Sequence, residues 1–160
     1  MADGYVHQIN ISTSGVPKLP VPTATVTELG LVGDGHAEAG HGGVDKALCL
    51  YSLEVIESFA AEGHSLFPGA AGENITTRGL DWSAVVPGTR LWLGEQVLIE
   101  VTMYTTPCKK IARWFSDGNF ARLSQKISPG RVRVYAKVLS GGALTTGDPI
   151  RFAAASPHSG

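Results

Sequence analysis

The sequence predicts a mainly β domain: a closed or partly closed barrel of antiparallel or mixed strands with two peripheral helices. Several runs alternate apolar and polar residues with period two. No regular strand–helix–strand repeat recurs, as a doubly wound sheet would require. The 20 glycines often fall in pairs or beside aspartate, which marks many tight turns. At 160 residues the chain is long enough for one domain with a sizeable core, assigned here to residues 1–153.

The elements follow in order. Tyr5–Ser12 reads as a first strand, with Tyr5, His7, Ile9 and Ile11 on one side. Ser12–Pro22 holds three prolines and a glycine and reads as an ordered, irregular arm. Thr23–Gly30 gives a short strand, and Leu31–Ala47 a glycine-rich loop longer than ordinary connections. A helix then begins at Ser52 as N-cap, with Glu54 in the first turn, Ile56, Phe59 and Ala60 on one face, and Gly63 as the stop. Arg90–Gly94 and Gln96–Tyr104 pair as a hairpin around Gly94 and Glu95, the second run placing Val97, Ile99, Val101 and Met103 on one side. Thr106 and Pro107 open a second helix continued by Ile111, Ala112 and Phe115. Val132, Val134, Ala136 and Val138 alternate in the next strand, and a turn leads to the last one. Residues 154–160 form a polar tail expected to fray.

Composition excludes several function classes. Hydrophobic residues make up 43%, which indicates a globular chain. Charged residues are 17% and the formal net charge is -1, so nothing steers the protein toward nucleic acid over long range. No apolar run approaches membrane-spanning length, and the first residues lack the basic and apolar regions of a signal peptide. Cys49 and Cys108 make no disulfide framework. A cytoplasmic protein with neither nucleic acid nor membrane as partner is expected.

Cys108 is the principal candidate for chemistry. Placed at the second position of the expected helix, it would meet unpaired backbone N–H groups and the positive end of the helix dipole, with Lys109, Lys110 and Arg113 nearby. That setting suits a thiolate holding a soft metal or carrying sulfur, and equally an anionic ligand. The opposing reading is a core cysteine sharing one face with Ile111, Ala112 and Phe115. Cys49, within the apolar run ALCLY, reads as structural.

Asp34, His36, His41, Asp45 and Lys46 crowd the long loop, but neither paired cysteines nor helical histidines supply zinc spacing. Gly42 and Gly43 suit a cradle whose backbone amides approach a ligand, with His41 and Lys46 as donors; the alternative is a loop whose aspartates cap turns. Glu73 and Asn74, between turns, either bind a ligand or pin the loop. No phosphate-binding P-loop, dinucleotide fingerprint, catalytic triad or pair of glycosidase carboxylates stands out.

Taken together, VPK near the start, GLVGDGHAEAGHGGVDKALCLY, PGAAGENITTRGLDW, TTPCKKI and RVYAKVLSGGALTTGDPI resemble, in this order, the MOSC domains, named after the molybdenum cofactor sulfurase C-terminal domain. The likeness spans about Gly4 to Phe152. It implies a barrel similar to the pyruvate kinase β-barrel domain, with Cys108 as the residue that ligates molybdenum or carries a persulfide. It further implies cofactor contacts from His41, Gly42, Gly43, Asp45, Lys46, Glu73 and Asn74, in a basic pocket rimmed by Lys109, Lys110 or Arg113. A molybdenum cofactor of the molybdopterin type, an N-hydroxylated small-molecule substrate, an electron-donor protein and a homodimer are the implied ligands and partners. A sulfur carrier and a non-catalytic binding domain for phosphorylated small molecules are the other two readings. Pyridoxal phosphate is not expected, since no aminotransferase-like segment is present and Lys46 lies in a loop. Thr105-Thr106 and Gly35 stand where many relatives carry arginine, so two positive charges are absent at those positions.

Overall fold

A computed structural model describes residues 2–13, 15–35 and 43–153. The readings made for His36, His41, Gly42 and the 154–160 tail lie outside the described residues. The fold is the expected β-barrel. Its strands are β1 (Gly4–Ile11), β2 (Leu19–Val21), β3 (Thr23–Thr27), β4 (Gly30–Leu31), β5 (Leu48–Ser52), β6 (Ile75–Arg78), β7 (Arg90–Leu93), β8 (Val97–Tyr104), β9 (Val134–Ser140), β10 (Gly142–Thr145) and β11 (Pro149–Phe152). Seven of them run in the order β11-β7-β8-β9-β5-β6-β1, and β1 pairs back onto β11 through Gly4 opposite Ile150, which closes the barrel. Closure removes the open edges that a sheet would otherwise expose. β2 adds to the outside of β1, and β10, β3 and β4 form a small second sheet.

Alternation places the core correctly in most strands. Val97, Ile99 and Val101 of β8, Val134 and Ala136 of β9, and Leu91 and Leu93 of β7 are all buried in one cluster. β1 departs from the expected side. Val6 and Ile9 are buried while Tyr5 is exposed, because the pairing with β6 shifts register between Val6 and Gln8. That bulge moves the inward face from even to odd positions.

β5 is buried along its whole length, LCLYS, because both of its faces are covered. It pairs parallel to β6, and the crossover is α1 (Leu53–Ala61). The Ser52 side chain accepts from the Val55 N–H as N-cap, Glu54 sits in the first turn, and Ile56 and Phe59 pack inward, as the sequence indicates. The second expected helix differs. Lys109–Trp114 is a six-residue 3-10 helix, and Cys108 precedes it in extended conformation at φ -128°, ψ 162°. Only Ile111 and the adjoining Phe115 turn into the core, where Phe115 meets Phe59 edge-on with ring centroids 6.1 Å apart.

The irregular arm is held by one buried carboxylate. Asp34 accepts from Lys18 Nζ at 2.7 Å, from the Ser12 N–H at 3.0 Å and from Asn74 Nδ2 at 3.2 Å. Two glycines let the arm lie this close. A Cβ on Gly69, at φ +91°, would meet the Lys18 carbonyl oxygen at 2.2 Å, and one on Gly35 the Thr13 carbonyl oxygen at 2.0 Å. With the arm in this position, residue 35 has no room for a side chain.

Asp34→Ala is expected to lower stability by about 3–5 kcal/mol, since it leaves the Lys18 ammonium buried without its partner. Adding Lys18→Met should recover part of that loss. Urea unfolding of both variants checks this, and a loss in the single variant no greater than in the double would refute it.

Candidate functional site

β5 and β9 pair antiparallel, with Leu48 opposite Ala136, Cys49 opposite Tyr135 and Leu50 opposite Val134. The leucines, Val134 and Ala136 face the barrel core. By strand alternation Cys49, Arg133 and Tyr135 take the other face, and all three line a cavity of about 550 Å³. Its walls come from the arm (Ser12, Thr13, Val16, Lys18), the Ala71–Asn74 turn and the segment from Thr106 to Ile111. The volume is in the range of small-molecule sites.

Cation enrichment is the main electrostatic feature. Lys18, Lys46, Lys110 and Arg133 line the cavity, and among the described residues no Asp or Glu does. Lys18 is neutralised by Asp34, and Lys46 Nζ lies 5.4 Å from the centre of the Tyr135 ring. Arg133 is 8% exposed. Three anchors fix its stretch of chain. The Tyr51 hydroxyl donates to the Arg131 carbonyl at 2.7 Å, Trp82 Nε1 to the Val132 carbonyl at 3.1 Å, and the Thr105 N–H to the Arg133 carbonyl at 3.1 Å. Arg133, directly before β9, thus brings a cation to the cavity that Cys108 also lines.

Cys108 is exposed and lines the cavity, so it is not the core residue that its spacing from Ile111 and Phe115 allowed. Nor does it occupy a second helical position, and the short 3-10 helix after it lacks the aligned turns on which a dipole argument depends. Cys49 is buried, and burial pushes its thiol from 9.0 up to about 11.

The residues singled out in the sequence divide accordingly. Cys108, Lys46, Asn74 and Lys110 meet at the cavity. Gly43 and Asp45 lie outside its lining, Gly43 preceding the Val44–Lys46 3-10 turn and Asp45 accepting from the Thr102 hydroxyl through its carbonyl. Lys109 and Arg113 are also off the lining, and Arg113 Nη2 donates to the Val16 carbonyl at 3.1 Å, holding the arm. Glu73 is fully buried behind the wall. Its Oε2 accepts from the Gly69 N–H at 2.9 Å and the Thr76 hydroxyl at 3.0 Å. Asn74 exchanges two bonds with Cys49: its Oδ1 accepts from the Cys49 N–H at 3.0 Å, and its own N–H donates to the Cys49 carbonyl at 2.8 Å. Sequence reasoning missed Arg133, Lys18 and Tyr135. All three fall inside the family motifs VPK and RVYAKVLSGGALTTGDPI, but no role was assigned to them there, and the alternating basic residues of RVRVY also fit a solvated strand face.

Two outcomes follow. At pH 8, iodoacetamide should modify Cys108 and spare Cys49 until denaturant is added, because access and a thiol near 11 both protect Cys49. Equal labelling of the two in the folded protein, read by peptide mass spectrometry, contradicts this assignment. Burial raises the Glu73 carboxyl above its ordinary value. The folded state therefore holds that proton more tightly than the unfolded chain. Its contribution to stability is complete below the ordinary glutamate value of about 4.3 and is lost as pH rises through the raised one. Wild-type stability should thus fall relative to Glu73→Gln between acid and neutral pH, and parallel curves would refute the burial argument.

Comparison with known proteins places this architecture. The MOSC domain profile matches residues 37–151. Protein YiiM of Escherichia coli (strain K12) is 34% identical over 160 residues, covering 94% of this chain and 70% of that protein. A protein of Gibberella moniliformis named "Reductase" is 34% identical over 125 residues, 76% of this chain and 22% of its own length. Among solved structures, YiiM from E. coli superposes with a TM-score of 0.72 at 29% identity, covering 96% of this chain and 71% of that one. YiiM from Geobacillus stearothermophilus gives 0.71 at 25%, covering 94% and 75%. On sequence and fold alike, the chain belongs to the MOSC domain family.

Proposed function

We propose that this chain binds a molybdenum cofactor in the β5–β9 cavity and reduces N-hydroxylated small molecules with electrons from a donor protein. The observation that carries this reading is the cavity lining among the described residues: four basic side chains, no carboxylate, and an exposed thiol, on a chain whose net charge is -1. A phosphate-bearing pterin is an anion that such a lining would attract. A cysteine thiolate is a soft ligand, suited to molybdenum coordination. No group of three His, Cys, Asp or Glu among the described residues could hold a metal ion by itself, so on this reading the organic cofactor completes the metal's coordination. The donor set fits the group.

In this site Cys108 would supply the protein ligand to the metal, and Lys46 and Lys110 would hold the anionic part of the cofactor by charge. Asn74 keeps the wall in place through its bonds to Asp34 and Cys49. Tyr135 supplies a flat wall opposite the arm. When bound, the cofactor supplies two-electron redox chemistry. The overall reaction takes a hydroxylamine-type N–OH, two electrons from the donor and two protons to an N–H and water. The fungal relative's name, "Reductase", supports an oxidoreductase reading, although this chain matches only 22% of that protein.

The exposure of Cys108 also favours a second reading, in which that thiol carries a persulfide sulfur to a partner. The two are separated by expression in a host that makes the cofactor, followed by metal analysis and an assay with an N-hydroxylated purine and a reductant. Near-stoichiometric molybdenum in wild type, a loss of about tenfold or more in Cys108→Ser and reduction of the substrate are expected. A persulfide trapped on Cys108 without molybdenum would replace the reductase reading with the carrier. Binding of phosphorylated small molecules alone would leave a non-catalytic binding domain.

A further inference from the structure

We infer that Arg133 is an oxyanion-binding residue on the floor of the cavity, taking the phosphate-type group of the ligand while the ligand's other end lies toward Cys108. This rests on the cavity being the ligand site, as proposed above, but not on the presence of molybdenum.

Three buried side-chain atoms among the described residues lack a hydrogen-bond partner: Arg133 Nε, Glu73 Oε1 and Thr105 Oγ1. Native proteins satisfy nearly all such atoms, so exceptions call for a reason. All three lie on or next to the cavity wall. Arg133 lines it, and Glu73 and Thr105 each adjoin a lining residue. Of the three side chains only Arg133 is itself part of the lining.

The Arg133 geometry is specific. Nη1 donates to the Ala71 carbonyl at 2.6 Å, which fixes the plane of the guanidinium. Nε is left without a partner and closed to solvent; an oxyanion that enters beside the guanidinium and displaces what covers that edge would meet parallel N–H donors there. Among the described residues no carboxylate lies within ion-pairing distance of Arg133. Glu73 acts on Arg133 through space without pairing with it directly, so the buried guanidinium lacks an ion-pair partner, and an oxyanion would supply one. Lys46 and Lys110 on the same lining favour an anion over a neutral acceptor.

Depth then sets direction. Arg133 is 8% exposed, whereas Cys108 is exposed. A ligand anchored by its anionic group at Arg133 places its remaining body toward Cys108 at the solvent side. Glu73 is the rival partner, since its Oε1 is also unpaired. Its other oxygen is already held by Gly69 and Thr76, away from the lining.

The test uses the full chain and two probes, inorganic phosphate and 1-naphthyl phosphate. The Arg133 Nε–H resonance, assigned by its loss in Arg133→Lys, should shift saturably with both. Arg133→Met should weaken phosphate binding by about tenfold or more. Naphthyl phosphate should slow alkylation of Cys108 in wild type, whereas inorganic phosphate, lacking a body, should leave it unchanged. An Arg133 resonance indifferent to both probes but moved by Glu73→Gln would make Arg133 a structural counter-charge and overturn the inference; this reading needs only folded wild type and Glu73→Gln. Phosphate binding abolished by Lys46→Ala or Lys110→Ala but unaffected at Arg133 would also overturn it, while leaving an anion-binding cavity intact. Binding at Arg133 without protection of Cys108 would refute the orientation. Molybdenum content, measured separately, decides the cofactor reading independently of all these outcomes.

Discussion

A single buried carboxylate, Asp34, holds together the parts from which the site is built. It accepts from Lys18 and Ser12 of the arm and from the side chain of Asn74. Asn74 in turn grips Cys49 of β5 through both backbone groups of that residue. Arm, turn and barrel strand are thereby tied at one point. None of the irregular segments has a periodic hydrogen-bond ladder of its own, so their backbone groups depend on such side-chain partners. Burial makes the arrangement strong when complete and costly when one partner is missing.

The barrel contributes a rigid platform. β5 and β9 turn one face into the apolar core and the other into the cavity, so a single alternating pattern serves both packing and the cavity wall. The outer face of β5 stays apolar enough to be buried because the arm and the turn cover it. Gly35 and Gly69 permit that cover, since a side chain at either position would collide with the arm's backbone. Sites on strands are held more exactly than sites on loops, and Tyr135 has that advantage, with Arg133 directly before the same strand.

Charge is distributed locally. The chain as a whole is near neutral, yet among the described residues the cavity gathers basic groups without a lining carboxylate. Two acidic residues beside it, Asp34 and Glu73, are used internally: one neutralises Lys18, the other binds a backbone N–H and a hydroxyl. An exposed cysteine at the same cavity completes a combination of soft donor and anion attraction.

Much of this was legible in the residues alone. Alternation marked the core faces of β8 and β9, and Ser52 marked the start of α1, because period-two burial and side-chain capping are local effects. The family motifs pointed to Cys108, Lys46, Asn74 and Lys110, all of which line the cavity. Tertiary structure decided the rest. The bulge in β1 depends on pairing with β6, which no pattern within β1 records. Asp34 read as a turn cap because its partners, Lys18 and Asn74, are distant in sequence. Thr106-Pro107-Cys108 carried helix-start chemistry, but the chain stays extended through Cys108 and then forms only a 3-10 helix, held by Arg113 on the arm and Trp114 on Ala70. Arg133 could not be told from a solvent-facing strand residue, because which face of a strand meets water is set by what packs over it. The sequence by itself determined the barrel and the first helix, and it singled out Cys108. Only the packing of arm, turn and strand decided which cations share the cavity, since electrostatics depends on distances that chain separation does not contain.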